Sequence, residues 1–231
     1  MITVQPIHYT SDPDDWHRFA DAIGFRAAFP PVGSWSEFDA GGILAIHQVV
    51  AGDPLDGTTD IHLLVSDLHS VQEAAIGVGA TVDATTLENV GRMLTVTSGE
   101  LRLTVSSGSR STSGDPSVVP IHYVQDLAEP DRLFRALGLR PRIAAVGGVW
   151  ADYEGDGGGL AALHHGEPHT ELSFEFAGDL DDLASRLGAV GFAAEIVDEA
   201  YNRTLRVNGP DGQELWINGV QQDLYGYRFL G

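Results

Sequence analysis

Pro6-Ile7-His8-Tyr9 returns unchanged as Pro120-Ile121-His122-Tyr123, 114 positions later. Further matches lie outward from that pair. Asp21-Ala22-Ile23-Gly24-Phe25-Arg26 answers to Arg135-Ala136-Leu137-Gly138-Leu139-Arg140, Trp35 to Trp150 and Phe38 to Tyr153. Gly41 to His47 answers to Gly158 to His164, and Arg92 to Val96 answers to Arg203 to Val207. The order is kept and the spacing drifts by only a few positions, which marks a tandem duplication. A repeat must be recognised before any fold is read.

Within each copy the pattern predicts a strand, a helix and further strands, twice over. Residues 2–10 alternate as a strand. Ser11-Asp12-Pro13-Asp14-Asp15 starts a helix, with a cap, a proline and acids at the positive end of the dipole. Trp16, Phe19, Ala20 and Ile23 fall at helical spacing, and Gly24 stops it. Strands are expected at 35–38 and 43–50, then at 61–65. A second helix spans 67–79, and short strands follow at 81–86, 92–97 and 101–105. Four βαβββ units result, beginning near residues 2, 60, 117 and 171. Two ferredoxin-like domains also contain split strand–helix elements, but two helices per half, each trailed by three strands, fit the longer unit. The expected fold is α+β, as two tandem domains at 1–107 and 117–231. The Ser/Gly-rich stretch 108–116 is the linker between them.

Composition narrows the function. Net charge is −20, which disfavours nucleic acid and anionic membranes as partners. All 13 basic residues are arginine. Without lysine there is no Schiff base and no phosphate-loop lysine. Without cysteine there is no disulfide, thiolate nucleophile or thiolate metal site, a composition that fits the cytoplasm. No signal peptide is read at Met1-Ile2-Thr3-Val4-Gln5, and no apolar run reaches membrane-spanning length.

The order of motifs resembles the vicinal oxygen chelate superfamily, which includes glyoxalases, extradiol dioxygenases and bleomycin resistance proteins. The resemblance is carried by Asp12 ahead of the helix ending Ile23-Gly24-Phe25, and by Asp126 ahead of Leu137-Gly138-Leu139. Val65-Ser66-Asp67-Leu68 and Gly209-Pro210-Asp211-Gly212 before Glu214-Leu215-Trp216-Ile217 add to it. It implies that paired units roll their sheets into cups that hold a ligand on the concave face. Metal-using members chelate a divalent ion with His, Glu or Gln on the first and last strands. The positions so implied are Gln5, His47 and Asp60 in the first half, with Arg102 at the last strand. In the second half they are Val119, His164, Glu171 and Trp216. Neither set is complete, because Arg102 carries a positive charge and Val119 and Trp216 offer no useful lone pair. Pairing of the first unit with the fourth would instead gather Gln5, His47 and Glu171, enough for a catalytic site with water.

Other candidates read as structural. His8 and His122 fall on the strand face opposite Ile7 and Tyr9, toward the helices. His164, His165, His169, Glu167 and Glu171 form either a polar loop or a metal cluster. The acidic runs at 12–15 and 179–182 are helix starts. No nucleophile elbow, phosphate loop or dinucleotide fingerprint occurs, so no catalytic residue is assigned. Trp35, Phe38, Trp150, Tyr153, Trp216 and Tyr9 are the aromatic residues expected to line the cups.

The expectation is a glyoxalase- or bleomycin-resistance-like protein, monomer or homodimer, binding a small organic molecule without a metal cofactor. An acidic surround favours neutral or cationic ligands. The alternative is a divalent-metal-dependent lyase, isomerase or dioxygenase.

Overall fold

The computed structural model describes residues 1–88, 90–199, 202–221 and 225–230. The first unit comprises β1 (Ile2–Val4), β2 (Ile7–Thr10), α1 (Pro13–Ile23), β3 (Arg26–Ala27), β4 (Trp35–Ala40) and β5 (Gly42–Gln48). The second comprises β6 (Thr59–Asp60), β7 (His62–Val65), α2 (Leu68–Gly77), β8 (Thr81–Leu87), β9 (Gly91–Ser98) and β10 (Leu101–Ser107). Residues 108–116 carry neither helix nor strand. The third unit follows with β11 (Ser117–Val124), α3 (Ala128–Leu137), β12 (Arg140–Ala145), β13 (Trp150–Glu154) and β14 (Leu160–His165). The fourth has β15 (His169–Phe176), α4 (Leu180–Ala189), β16 (Ala194–Asp198), β17 (Arg203–Asn208) and β18 (Glu214–Gly219), and β19 (Tyr227–Phe229) ends the described strands.

The local signals work as their chemistry requires. Asp12 caps α1 by accepting from the Asp15 amide, and Gly24 closes it in the left-handed conformation (φ 117°). Gly138 does the same for α3 (φ 100°). Asp67 and Asp179 cap α2 and α4, each accepting two backbone N–H groups. These caps satisfy donors that a helix start otherwise leaves bare.

Residues 2–10 do not form the single expected strand. They break at Gln5-Pro6, where the Gln5 amide donates to His62 O and Pro6 O accepts from the Ala45 amide. The chain thus passes from one ladder to the next at a residue with no N–H to give. The first half consequently holds two five-stranded sheets, ordered β1-β7-β10-β9-β8 and β3-β4-β5-β2-β6. The second half is one nine-stranded sheet, β16-β17-β18-β15-β11-β14-β13-β12-β19.

Units pair within each half. Antiparallel β2 and β6 set Ile7 opposite Asp60, and antiparallel β11 and β15 set Ile121 opposite Glu171. The first-with-fourth pairing that would join Gln5, His47 and Glu171 does not occur. The fourth unit meets the first where α1 packs on α4, and the second meets the third where α2 packs on α3. Phe19 lies 6.0 Å from Phe174 and 5.4 Å from Phe192, and Phe25 lies 5.8 Å from Phe174, between ring centroids. One apolar core therefore runs through both halves, and each such ring contributes about 2 kcal/mol by leaving water. Where the backbones cross, Gly42 (φ 88°) faces Gly159 (φ 84°). A Cβ on Gly42 would stand 2.8 Å from the Gly159 Cα, so the repeated Gly-Gly pair is required by close approach as well as by conformation.

Candidate functional site

Strand alternation gives every cup strand one face toward the helices and one toward the hollow. On β11 the hollow side carries Val119, Ile121 and Tyr123. Val119 and Ile121 join Leu160 and Ala162 in a small apolar cluster separate from the main core, with Tyr123 and Trp150 packed on it. That cluster floors a cavity of about 360 Å³ in the second half, walled by Val149, Trp150, Trp216 and Tyr227. Asn218 and His164 also face it.

One end of the cavity is ionic. Arg142 Nη1 and Nη2 donate to the two Glu175 carboxylate oxygens at 2.8 and 2.7 Å. Nη2 also reaches Asp152 Oδ2 at 2.7 Å. Asp152 is held in turn by the Ile143 amide at 2.9 Å. Burial works against the Arg142 charge, but the bonds to Glu175 and Asp152 outweigh it and raise the guanidinium above its ordinary value.

At the rim, Tyr123 Oη donates to Glu171 at 3.0 Å, and the His164 ring lies 5.0 Å from Tyr123 and 5.7 Å from Trp150. His169 stacks on Tyr123 at 4.3 Å and contacts Glu171 at 3.0 Å. Burial lowers the His169 pKa, yet bonds to the Glu167 carbonyl and Glu171 leave it raised overall.

The first half repeats this rim. Tyr9 Oη donates to Asp60 at 3.2 Å, and His47 lies 5.4 Å from Tyr9 and 5.7 Å from Trp35. Burial first, then Asp60, pushes the Tyr9 phenol up. Beneath the rim the two cups differ. Gln5 stands where the second half has Val119, and donates to Glu37 Oε1 at 2.9 Å, as does Trp35 Nε1. Arg110 enters from the linker, 2.6 Å from Glu37 and 2.9 Å from Asp39. His62 Nδ1 and Nε2 contact Thr104 and Ser106 at 2.8 and 2.9 Å, and burial lowers its pKa to about 4. Polar side chains thus occupy the floor that is apolar in the second cup.

The structure places Tyr9, Trp35, Trp150 and Trp216 on hollow-facing sides of their strands. Phe38 and Tyr153 are elsewhere. Phe38 packs under His17 at 5.2 Å, and Tyr153, fully buried, meets Phe134 edge-on at 5.1 Å and donates to Asp131. Each lies three residues after a cup-facing tryptophan, and an odd step along a strand reverses the face. His8 does turn to the helices, its ring 4.1 Å from Trp16. The strand register also corrects the partner of Trp216. Ser173 pairs with Trp216 and His62 with Thr104, so Thr104, not Arg102, is its counterpart. Arg142, Asp152, Glu175, Asn218 and Tyr227 went unread in the sequence. Extending the alternation from Trp150 reaches Asp152, and from Trp216 reaches Asn218.

The implied metal donors do not assemble. Glu171 lies in the second cup, away from Gln5 and His47. Asp60 is taken by Tyr9 and lies 4.0 Å from Arg102. Among the described residues no three His, Cys, Asp or Glu side chains converge as a metal site.

No protein-family model and no curated protein matches this sequence. Solved structures do. The chain is similar to the Mn(II)-bound glyoxalase from Novosphingobium aromaticivorans, with TM-score 0.66 and 14% identity over 95% of this chain and 81% of that one. It is similar to homoprotocatechuate 2,3-dioxygenase from Brevibacterium fuscum in complex with 3,4-dihydroxyphenylacetate, with TM-score 0.64 and 13% identity over 99% and 81%. BphC, a halotolerant catechol dioxygenase, gives TM-score 0.59 and 14% identity over 97% and 88%. The chain has the vicinal oxygen chelate fold. Its α+β architecture matches across nearly the whole length. Within that vicinal oxygen chelate frame the second-half cavity lies on the concave sheet face. No described helix is long and apolar enough to cross a membrane.

Proposed function

We propose that the protein binds a small organic molecule in the cup of its second half, without a catalytic metal. One observation carries this reading. An apolar floor separate from the main core, with tryptophan and tyrosine walls, lines an open cavity of about 360 Å³. A protein gains nothing in stability by leaving such a surface open, and pockets of this size and lining suit small ligands. Val119 and Trp216 stand at positions where the resemblance implies metal ligands, and neither donates a lone pair. The polar floor of the first cup supports assigning the site to the second.

A metal-dependent lyase, isomerase or dioxygenase is the second reading. It rests on the similar structures, one of which is a Mn(II)-bound glyoxalase, so a divalent metal is the cofactor to weigh. The cluster geometry favours the first reading.

The experiment is a thermal-shift and tryptophan-fluorescence screen of aromatic compounds against metal-stripped protein. Saturable binding that Trp216→Ala abolishes supports the proposal. Binding that appears only after Mn(II), Fe(II) or Zn(II) is added favours the metalloenzyme.

A further inference from the structure

The second cup holds more negative than positive side-chain charge in a confined space. Asp152 and Glu175 are 6% and 15% exposed, and Arg142 answers both with a single guanidinium. One negative charge is left over beside a low-dielectric floor of Val119 and Ile121. The imbalance is not diluted by lysine, because the chain has none.

The walls add a second, independent bias. Trp150, Trp216, Tyr123 and Tyr227 all contribute to the lining. The Trp216 indole N–H is already given to Glu214 at 2.9 Å, so the indole, 40% exposed, offers its ring rather than its donor. Aromatic faces attract cations through the negative face of the ring, the more so where the site is desolvated. A neutral hydrocarbon would fill the cup and leave the charge uncompensated. An anion would meet Arg142 but also two carboxylates.

We infer that the ligand of the second cup is an organic cation, an ammonium or alkylated ammonium on a compact apolar or aromatic body. The inference rests on the small-molecule reading above. The cation lies between the aromatic walls, near Asp152 and Glu175, and supplies the second positive charge of a two-to-two cluster. Arg142 keeps the carboxylates in place and stays protonated throughout.

The test uses trimethylphenylammonium and tert-butylbenzene, which share a shape and differ in charge, with benzoate as the anionic probe. Affinities are read from tryptophan fluorescence of the full chain. The ammonium should bind at least about tenfold more tightly than the hydrocarbon, a preference of about 1.4 kcal/mol, and the preference should shrink as salt rises. Glu175→Gln should bring the two affinities to near parity while that of tert-butylbenzene holds. If Glu175→Gln misfolds by circular dichroism, Asp152→Asn and the salt series of the unaltered protein carry the test. His69→Ala, exposed on α2 and outside both cups, should change neither. Equal affinities in the unaltered protein overturn the cation assignment and leave the binding cup standing. Tighter benzoate overturns the sign of the charge. No saturable response to any of the three overturns both readings.

Discussion

Asp211 and His8 stand 203 positions apart in the chain and 2.7 Å apart in space, Oδ2 to Nε2. Asp211 sits in the hairpin before the last strand of the fourth unit. It also accepts from Trp16 Nε1 and Thr10 Oγ1, each at 2.7 Å. One carboxylate therefore ties the last unit to β2 and α1 of the first. The corresponding hairpin of the second unit meets the third, with Glu100 accepting from the Gln125 amide and lying against His122. The junction is thus built twice, about a pseudo-symmetric axis.

Asp211→Ala removes the acceptor of three largely buried donors. We expect a loss of about 3 kcal/mol, since each donor left unsatisfied in the interior costs about 1–3 kcal/mol and the losses overlap. Urea unfolding followed by tryptophan fluorescence reads this. A change below about 0.5 kcal/mol would show the junction to be solvated.

Acid should destabilise the fold. The His62 pKa is lowered to about 4 by burial, below the ordinary value of 6.5, so the unfolded chain takes up its proton first. Stability is complete above pH 6.5 and falls as pH drops toward 4. Asp211 acts in the same direction at lower pH. Burial raises its pKa, but bonds from His8, Thr10 and Trp16 lower it overall, and protonation forfeits them. Melting temperature measured from pH 8 to pH 4 should decline, and His62→Gln should flatten the part between pH 6.5 and 4. An unchanged slope in that variant would remove His62 as the cause.

Cutting the chain within 108–116 should leave two fragments that stay associated. Separation would bare Phe19 and Phe25 on one piece and Phe174 and Phe192 on the other. Size-exclusion chromatography after cleavage at an inserted protease site reads the outcome. Fragments that elute apart would show that each half keeps its own core.

Trp150 and Tyr153 should respond oppositely to substitution. Trp150→Ala removes a wall of the cavity and should weaken ligand binding at least about tenfold with little loss of stability. Tyr153→Phe removes a buried hydrogen bond to Asp131 and should cost about 1 kcal/mol of stability with ligand affinity unchanged. The reverse pattern would mean that the two faces of β13 are misassigned.

Elemental analysis of protein purified without an affinity tag should give well below one equivalent of transition metal. Stoichiometric metal that is lost in His47→Ala would establish the metalloenzyme reading.

The duplication made the four units legible, because Pro6-Ile7-His8-Tyr9 and its copy set the frame within which helices and strands could be counted. The helix starts at Asp12, Asp67 and Asp179 were legible because caps are local chemistry. The pairing of units was not, since strand partners such as Ile7 and Asp60 are chosen by tertiary packing. The site was legible only in part. Trp150 and Trp216 stand out by type, whereas Arg142 and Glu175 look like surface charges until the sheet curls around them. Strand β19 gives no signal in the sequence, because Tyr227-Arg228-Phe229 is too short to show a period and its partner β12 lies more than 80 positions away.

On β15, Phe174 faces the joint between the halves while its neighbour Glu175 faces the cavity. Successive side chains thus answer to different demands. The concave positions can change their chemistry without disturbing the packing behind them, and the two copies record that freedom. Gln5 has become or replaced Val119, and Thr104 likewise Trp216, while Leu63 and Phe174 behind them are both fully apolar and buried. A scaffold of this kind can be refitted for a new ligand by rewriting every second letter of a strand.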